Sequence, residues 1–201
     1  MGVRVHAFAD SLVFARHLAQ ALGAPLTLIA VTRFPDGESL PHVAHRRGEA
    51  AIVVRSLHDP NARVVEVLLA ADALRRAGAR RLTLVAPYLG YMRQDRVFAA
   101  GEPVSQQVIG ALLGAAFHRV LTVEAHLHRI ARLADVVPGA ARSLSAAPAL
   151  AAWVARRAPG ALLVGPDAES AAWVRAVARR CGAAWVVGEK QRLGARRRRH
   201  R

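Results

Sequence analysis

The segment LTLVAPYLGYMRQDRVFAAGEPVSQQ, residues 82–107, decides the fold class. It opens with the aliphatic run Leu82–Ala86, which has the length and composition of a buried strand. A long polar loop follows, and apolar residues at helical spacing resume near Gln106. A strand, a loop and a helix in this order form one unit of an α/β fold, in which ligands bind at the carboxyl ends of parallel strands. The loop is therefore the first place to search for a site.

Similar aliphatic runs recur along the chain, separated by segments with apolar residues at helical spacing. The runs are Arg4 to Phe8, Leu26 to Val31, Ala51 to Arg55, Val120 to Val123, Ala161 to Val164 and Ala184 to Val187. They show little polar alternation, as expected of strands covered on both faces. Pro, Gly, Ala and Ser replace the apolar period between Pro138 and Ser145, which indicates a boundary there. We predict α/β domains at 1–145 and 146–201, the second one truncated.

The composition narrows the class of protein further. The chain has 201 residues, of which 53% are hydrophobic, and a single cysteine, Cys181, so it can form no intramolecular disulfide or thiolate zinc cluster. The N-terminus has no secretion-signal pattern, and no run of 18 apolar residues occurs, so we expect a cytoplasmic protein without membrane contact. A net charge of +15 would ordinarily suggest a nucleic-acid partner, but about half of it lies in Lys190–Arg201. The rest of the chain has a smaller excess of basic residues, and we therefore do not expect it to bind nucleic acid.

The loop after Leu82–Ala86 carries groups suited to a nucleoside triphosphate. Arg93 and Arg96 offer planar donors to phosphate oxygens, and Gln94 and Asp95 can hydrogen-bond a base, a ribose or a metal-bound water. Ser105 stands at a predicted helix N-terminus, where anions are attracted. The short string RQDR alone is equally compatible with a solvated loop bearing surface ion pairs.

The longer pattern PYxGYxRQDR followed by GEPVS resembles the ribose-phosphate pyrophosphokinase family. The resemblance implies two phosphoribosyltransferase-like domains with central parallel sheets flanked by helices, the second incomplete here. It also implies transfer of the diphosphoryl group of ATP to ribose 5-phosphate, with Mg²⁺, in a homo-oligomer between a dimer and a hexamer. Arg93 would act in catalysis and, together with Gln94, Asp95, Arg96 and Ser105, in ATP binding.

The string RFPDGE, residues 33–38, resembles the family loop that closes over adenine from a neighbouring subunit. The resemblance implies that Phe34 stacks on the base and that Asp36 and Glu38 hydrogen-bond its edge. An aromatic face and carboxylate acceptors suit a purine with an exocyclic amine. The residue types alone also fit a plain Pro-Asp-Gly turn.

Two further strand ends resemble family motifs that contact metal. His126 matches a histidine that contacts magnesium and the ATP phosphates, with His128 beside it as a supporting or structural residue and Glu124 where the family usually has Asp. Asp167 matches an aspartate linked to a second metal and the ribose substrate. By residue type alone, His126 could be structural, and Asp167 could belong to a turn or a helix cap.

Residues 189–192, EKQR, resemble the start of the family's mobile catalytic loop. Lys190 and Arg192 would neutralise charge on the transferring phosphoryl groups, although two solvated cations would look the same. The family's ribose-phosphate loop is expected beyond Lys190 and is absent, so we predict weak or absent catalysis. The alternatives are a non-catalytic paralogue that binds ATP and assembles with a complete subunit and, less favoured, a nucleic-acid-binding protein that uses the Arg tail.

Overall fold

The structure, a computed structural model, describes residues 2–189. The chain forms two compact units, one ending at Leu144 and the next beginning at Ser145. The catalytic residues predicted at Lys190 and Arg192 lie outside the described residues. The α/β prediction is confirmed, and the assignment of the two units as 1–145 and 146–201 phosphoribosyltransferase-like domains stays a prediction.

The first unit is built on a seven-stranded sheet with helices on both faces. The strand order is β3-β2-β1-β4-β5-β6-β7, and every neighbouring pair is parallel except β2 with β3. The strands are β1 (Val3–Phe8), β2 (Leu26–Arg33), β3 (Ser39–His42), β4 (Ala50–Val54), β5 (Leu82–Ala86), β6 (Arg119–Val123) and β7 (Ala140–Leu144). The helices are α1 (Leu12–Leu22), α2 (Pro60–Arg76) and α3 (Ser105–Ala116).

Alternate residues of the strands supply two separate cores. Val5 and Ala7 of β1 pack with Ala15 and Ala19 of α1. The larger core gathers residues such as Phe8, together with the inner faces of α2 and α3. Because successive strand residues point to opposite faces, the aliphatic runs noted in the sequence can feed both layers. The parallel strands therefore present their carboxyl ends, and the loops that follow them, at one edge of the sheet.

Two helices have boundaries at residue types that favour a helix end or a helix start. Helix α1 ends at Gly23, whose left-handed φ of 58° lets its N–H reach the carbonyls of Ala19 and Gln20. Helix α2 begins with Pro60 directly after Asp59, where a missing N–H is harmless. These local signals orient each helix as it leaves or enters the sheet.

The structure corrects the strand prediction at two places. β3 was not predicted, because it is short and contains Pro41, which is compatible only with an edge strand. β7 lies inside the segment Pro138–Ser145 that was interpreted as a boundary, yet it pairs in register with β6, with Leu144 beside Val123. Neither strand has the aliphatic composition on which the prediction relied, and both become strands through pairing with a neighbour.

The described part of the second unit contains α4 (Ala147–Arg157), β8 (Leu163–Gly165), α5 (Ala171–Cys181) and β9 (Trp185–Val187). β8 and β9 form a parallel pair. Ala147 and Ala151 of α4 pack against Val177 of α5 in a small core of their own. A strand, a helix and a parallel strand in this order repeat the α/β pattern of the first unit.

Candidate functional site

A cleft of about 390 Å³ opens at the carboxyl ends of β5 and β6. These two strands are hydrogen-bonded neighbours, so the loops that follow them emerge side by side. The cleft is lined by Tyr88, Leu89, Tyr91, Met92, Arg93, Gln94, Glu124, Ala125 and His126. The site predicted from residues 87–107 is thus bounded on its second side by the loop that follows the next strand.

The loop after β5 is held down by buried groups. Leu89 and Met92 are only 4% and 2% exposed and belong to the main core. The side chain of Gln106, also buried, donates a hydrogen bond to the carbonyl of Met92 at 3.2 Å. Arg93 and Gln94, which follow Met92 directly, are exposed. The core therefore supports the loop from below, while the polar RQ pair faces the cleft.

Gly90 allows the loop to approach its neighbours closely. A Cβ at this position would come within 2.7 Å of the carbonyl oxygen of Leu57 and 3.0 Å of the Cβ of Pro60. The backbone N–H of Leu57 also donates to the carbonyl of Tyr88 at 2.8 Å. The loop after β5 is thus packed directly on the loop after β4.

Two residues of the cleft have an unfavourable backbone conformation. Tyr91 has a φ of 63° and Glu124 a φ of 46°, in the left-handed region that costs a non-glycine residue about 1–2 kcal/mol. Glu124 is tied by its N–H to the carbonyl of Leu144 at 2.9 Å, and the Tyr91 hydroxyl bonds the Asn61 side chain. Such conformations persist only where the surroundings enforce them and are common at functional sites. Sequence reasoning did not select either residue for the site.

The predicted RQDR residues do not all line the cleft. Arg93 and Gln94 do, and the Gln94 side-chain oxygen accepts a hydrogen bond from Ser105 at 2.6 Å. Asp95 instead accepts from one nitrogen of Arg129 with both carboxylate oxygens, at 2.7 and 2.8 Å. The hydrogen bond from Arg129 is the main reason that the pKa of Asp95 is below its usual value. Arg96 lies over the ring of Phe98, 5.0 Å from its centroid.

His126 lies in the cleft in contact with His128. Their Nε2 atoms are 2.6 Å apart and the rings meet edge to face. A hydrogen bond between two imidazole nitrogens requires that one carries the proton and the other accepts it. The two side chains therefore form a hydrogen-bonded pair in which one ring donates and the other accepts.

The hairpin loop 34–38 lies at a different part of the same sheet edge. The N–H of Gly37 donates to the carbonyl of Phe34, and the N–H of Glu38 donates to the carboxylate of Asp36, at 3.0 and 3.1 Å. The segment is thus a tight turn between β2 and β3, as its Pro-Asp-Gly composition indicates. β2 is three strand positions from β5, or about 14 Å. Accordingly, none of Phe34, Asp36 and Glu38 is among the described residues that line the cleft.

Asp167 lies in the second unit and caps a one-turn helix. Its carboxylate accepts from the backbone N–H of Ser170 at 3.3 Å, and the Ser170 hydroxyl bonds back to the Asp167 carbonyl at 2.5 Å. The helix-cap interpretation of the sequence is therefore correct for the local structure. The metal role of Asp167 stays a prediction.

The donor atoms in the cleft suit a magnesium–phosphate complex better than a bare ion. Among residues 2–189, no group of three or more His, Cys, Asp or Glu side chains could hold a metal. Mg²⁺ prefers oxygen and commonly binds through one or two carboxylates together with substrate phosphates. Glu124 and Gln94 supply a carboxylate and an amide oxygen to the cleft lining. These residues fit a metal that arrives with a polyphosphate.

The sequence profile of the N-terminal domain of ribose phosphate pyrophosphokinase matches residues 3–116, more than half of the chain. The chain belongs to this family. The matched residues include all of the loop after β5 and the hairpin loop. The comparison therefore supports the motif resemblance across most of the first unit.

Individual relatives extend the match beyond the first unit. The ribose-phosphate pyrophosphokinase of Methanopyrus kandleri is 33% identical over 192 residues, which cover 94% of this chain and 65% of the relative. That of Granulibacter bethesdensis is 37% identical over 183 residues, covering 89% and 58%. The crystal structure of phosphoribosylpyrophosphate synthetase from Mycobacterium smegmatis has the same fold, with a TM-score of 0.81 and 24% identity, over 95% of this chain and 65% of that one.

The chain spans less than two thirds of the length of these pyrophosphokinases. Family membership and fold are thus established for the portion of the relatives' length that this chain covers. Within the described residues, no helix is long and apolar enough to cross a membrane.

Proposed function

We propose that the cleft binds the phosphates of ATP and that the chain carries the ATP side of a ribose-phosphate diphosphokinase. In this reaction the anomeric hydroxyl of ribose 5-phosphate attacks the β-phosphorus of ATP, the bond to the α-phosphate oxygen breaks, and AMP leaves. The supporting observation is the convergence of Arg93, Gln94 and His126 on one cleft at the carboxyl ends of two neighbouring parallel strands. Family membership narrows the substrate class from any polyphosphate to ATP.

The chemistry needs alignment and charge neutralisation rather than a covalent nucleophile. Arg93 offers a planar set of N–H donors to phosphate oxygens and carries a permanent positive charge. His126 supplies an imidazole that is hydrogen-bonded to His128 and can donate to a phosphate through a ring N–H. We propose the same neutralising role for Lys190 and Arg192, and a ribose-side role for Asp167.

Magnesium is proposed as the cofactor. Glu124 and Gln94 are the described cleft residues with oxygen atoms suited to it, and we propose His126 as a further metal contact. When bound there, magnesium would supply positive charge that offsets the negative charge of the phosphates. The hydrogen bond from Ser105 holds the Gln94 side chain in one orientation, at 2.6 Å.

The hairpin loop is proposed to hold adenine for a neighbouring subunit. Phe34 is 44% exposed, and Asp36 and Glu38 are also exposed, so the loop projects groups that stack and accept hydrogen bonds. Its separation from the cleft of its own subunit supports a site completed by a second copy. This arrangement implies at least a dimer, which we propose together with a cytoplasmic location.

Two measurements on the purified chain test these proposals. Titration with ATP and magnesium, monitored by calorimetry, should show saturable binding that Arg93→Gln weakens and Arg76→Gln, an exposed change on α2, leaves intact. Absence of ATP binding by the wild-type chain would contradict the proposed cleft. AMP that forms only when ribose 5-phosphate is added would support the diphosphokinase reaction, and AMP that forms equally without the sugar would contradict it.

A further inference from the structure

A fully buried carboxylate lies beneath the hairpin loop. Glu66 is on α2, whose other buried residues are Val64, Val67, Ala70, Ala71 and Leu74. Its side chain is 0% exposed, and it is the one charged member of this set. Burying a carboxylate is costly unless it is paired and hydrogen-bonded, and an apolar residue in such a place is often as stable or more stable. Packing of α2 on the sheet therefore does not by itself account for Glu66.

Glu66 contacts both strands of the hairpin at the base of the loop. One oxygen, Oε1, accepts a hydrogen bond from the hydroxyl of Ser39 at 2.9 Å and lies 2.8 Å from a guanidinium nitrogen of Arg33. Arg33 and Ser39 are the register pair of β2 and β3 next to residues 34–38. A single carboxylate oxygen thus joins the last residue before the loop to the first residue after it.

The other oxygen connects the hairpin to the centre of the sheet. Glu66 Oε2 is 2.5 Å from Arg55, which follows β4 and is itself buried. The Arg55 guanidinium lies 3.9 Å over the ring of Phe8 and donates twice to Asp10 at 3.3 Å. Asp10 follows β1, so the contacts run from the hairpin base to the loops after β4 and β1.

The electrostatic balance favours an ionised Glu66. Burial raises the pKa of Glu66, but hydrogen bonds from Arg55 and Ser39 and the charges of Arg55 and Arg33 lower it more, so its pKa lies below the usual value. A charged acceptor makes the hydrogen bond from Ser39 stronger than a neutral one would. The Arg33 side chain is 60% exposed, whereas that of Arg55 is 5% exposed, so Glu66 pairs with one solvent-facing guanidinium and one buried guanidinium.

We propose that Glu66 is a positioning residue that clamps the base of the hairpin and so fixes the direction in which Phe34, Asp36 and Glu38 project. The proposal rests on the proposed function, because it assigns the clamp a role in presenting the loop to adenine. The clamp itself is a physical property that can be measured without nucleotide. Glu66 touches neither base nor phosphate and acts through Arg33 and Ser39.

Local hydrogen exchange of the 201-residue chain tests the clamp directly. Glu66→Gln removes the charge and leaves Asp10 as the remaining ion-pair partner of the buried Arg55 among the described residues, so it can destabilise the whole fold. Ser39→Ala and Arg33→Gln each remove one contact with Glu66, together with the 3.4 Å hydrogen bond that Arg33 donates to the Ser39 hydroxyl, and serve as the primary variants. We expect the amides of Phe34 and Gly37, which are bonded within the turn, to exchange about tenfold faster in both, with the amides of β4 and β5 unchanged.

Nucleotide titration distinguishes presentation of the loop from simple local order. ATP affinity should fall about tenfold in Ser39→Ala and Arg33→Gln, while affinity for tripolyphosphate, which has no adenine, should stay constant. Asp72→Asn, an exposed change on the same helix α2, is the matched control and should alter neither exchange nor affinity.

The outcomes separate the two proposals. Unchanged exchange at Phe34 and Gly37 in both primary variants would overturn the clamp whatever the nucleotide results are. Faster local exchange in a chain whose wild type binds no ATP would support the clamp and contradict the proposed function. Equal losses for ATP and tripolyphosphate would overturn the role in adenine presentation, because the phosphates do not reach the hairpin in the proposed arrangement.

Discussion

The cleft after β5 and β6 and the hairpin after β2 lie at the same sheet edge but are stabilised by different forces. The cleft rests on apolar groups, with Leu89 and Met92 inside the main core and Gly90 pressed against a neighbouring loop. The base of the hairpin is held by polar and charged side chains, because Glu66 below the turn contacts Arg33 and Ser39. A cleft supported by the core and a hairpin held by charged side chains suit the phosphate site and the adenine loop that we propose for them.

The difference extends to the segment that leaves the hairpin. His45, between β3 and β4, is hydrogen-bonded to His6 of β1 at 3.1 Å. The second ring nitrogen of each histidine is buried without a hydrogen-bond partner among the described residues. Acidification, or removal of the charge of Glu66, should therefore destabilise the hairpin side of the first unit before it destabilises the cleft.

Acidification is expected to have the largest effect. Burial, followed by the nearby charges of His45 and Arg4, lowers the pKa of His6 from 6.5 to about 4. Between these pH values the unfolded chain binds a proton at His6 that the folded chain does not. The contribution of His6 to the free energy of unfolding therefore decreases as the pH falls from 6.5, and none of it remains below about pH 4. The loss from this group should be about 3 kcal/mol between about pH 7 and pH 4, measured by urea unfolding.

The variant His6→Leu removes this group and should reduce the pH dependence by that amount. His42→Gln, a change at an exposed histidine of β3, should keep the wild-type profile. If His6→Leu and the wild type lose equal stability over this pH range, the buried His6 does not account for acid sensitivity.

Overpacking beneath the cleft should have the next largest effect. The added methyl of Gly90→Ala meets the Leu57 carbonyl oxygen at 2.7 Å, and that of Gly114→Ala on α3 meets the Pro138 carbonyl oxygen at the same distance. Both should lower the free energy of unfolding by about 2 kcal/mol. Only Gly90→Ala should also weaken ATP binding, because only Gly90 supports the loop that carries Arg93. Equal ATP affinity in the two variants would show that the cleft tolerates movement of this loop.

Removal of the positive charge of Arg93 in the cleft should weaken phosphate binding. Arg93→Gln should reduce ATP affinity about 10- to 30-fold in calorimetric titration, since hydrogen bonds between charged groups are lost. The same variant should lose tripolyphosphate affinity to a similar extent. A loss for ATP without a loss for tripolyphosphate would place Arg93 near the nucleoside rather than near the phosphates.

The hairpin aromatic should give the smallest effect of the four. Phe34→Leu should weaken ATP binding about fivefold by removing base stacking, with tripolyphosphate affinity unchanged. Phe14→Leu on α1 is the matched control, because Phe14 is also exposed, at 42%, and is outside the cleft lining. Identical behaviour of the two variants would argue against stacking by Phe34.

Much of the fold could be predicted because it depends on local patterns. The bounds of β5 were predicted as observed, and the predicted starts of β1, β4 and β6 are within one residue of the structure. β3 and β7 were missed because their residues favour a strand only when a neighbour supplies the hydrogen bonds. The site divides in the same way: Arg93, Gln94 and His126 were selected from the sequence, whereas Tyr91 and Glu124 are marked by backbone angles that only the folded chain has.

The sequence by itself determined the α/β class, the strand-end loops and the chemical groups that those loops carry, because these depend on residues close together in the chain. Tertiary structure alone decided which charges are already paired. Asp95 meets Arg129 across 34 positions, and Arg55 meets Asp10 across 45. Glu66 reaches Ser39 from 27 positions away. Contacts of this kind depend on sheet order and register, which place distant side chains within hydrogen-bond distance and which no local pattern encodes.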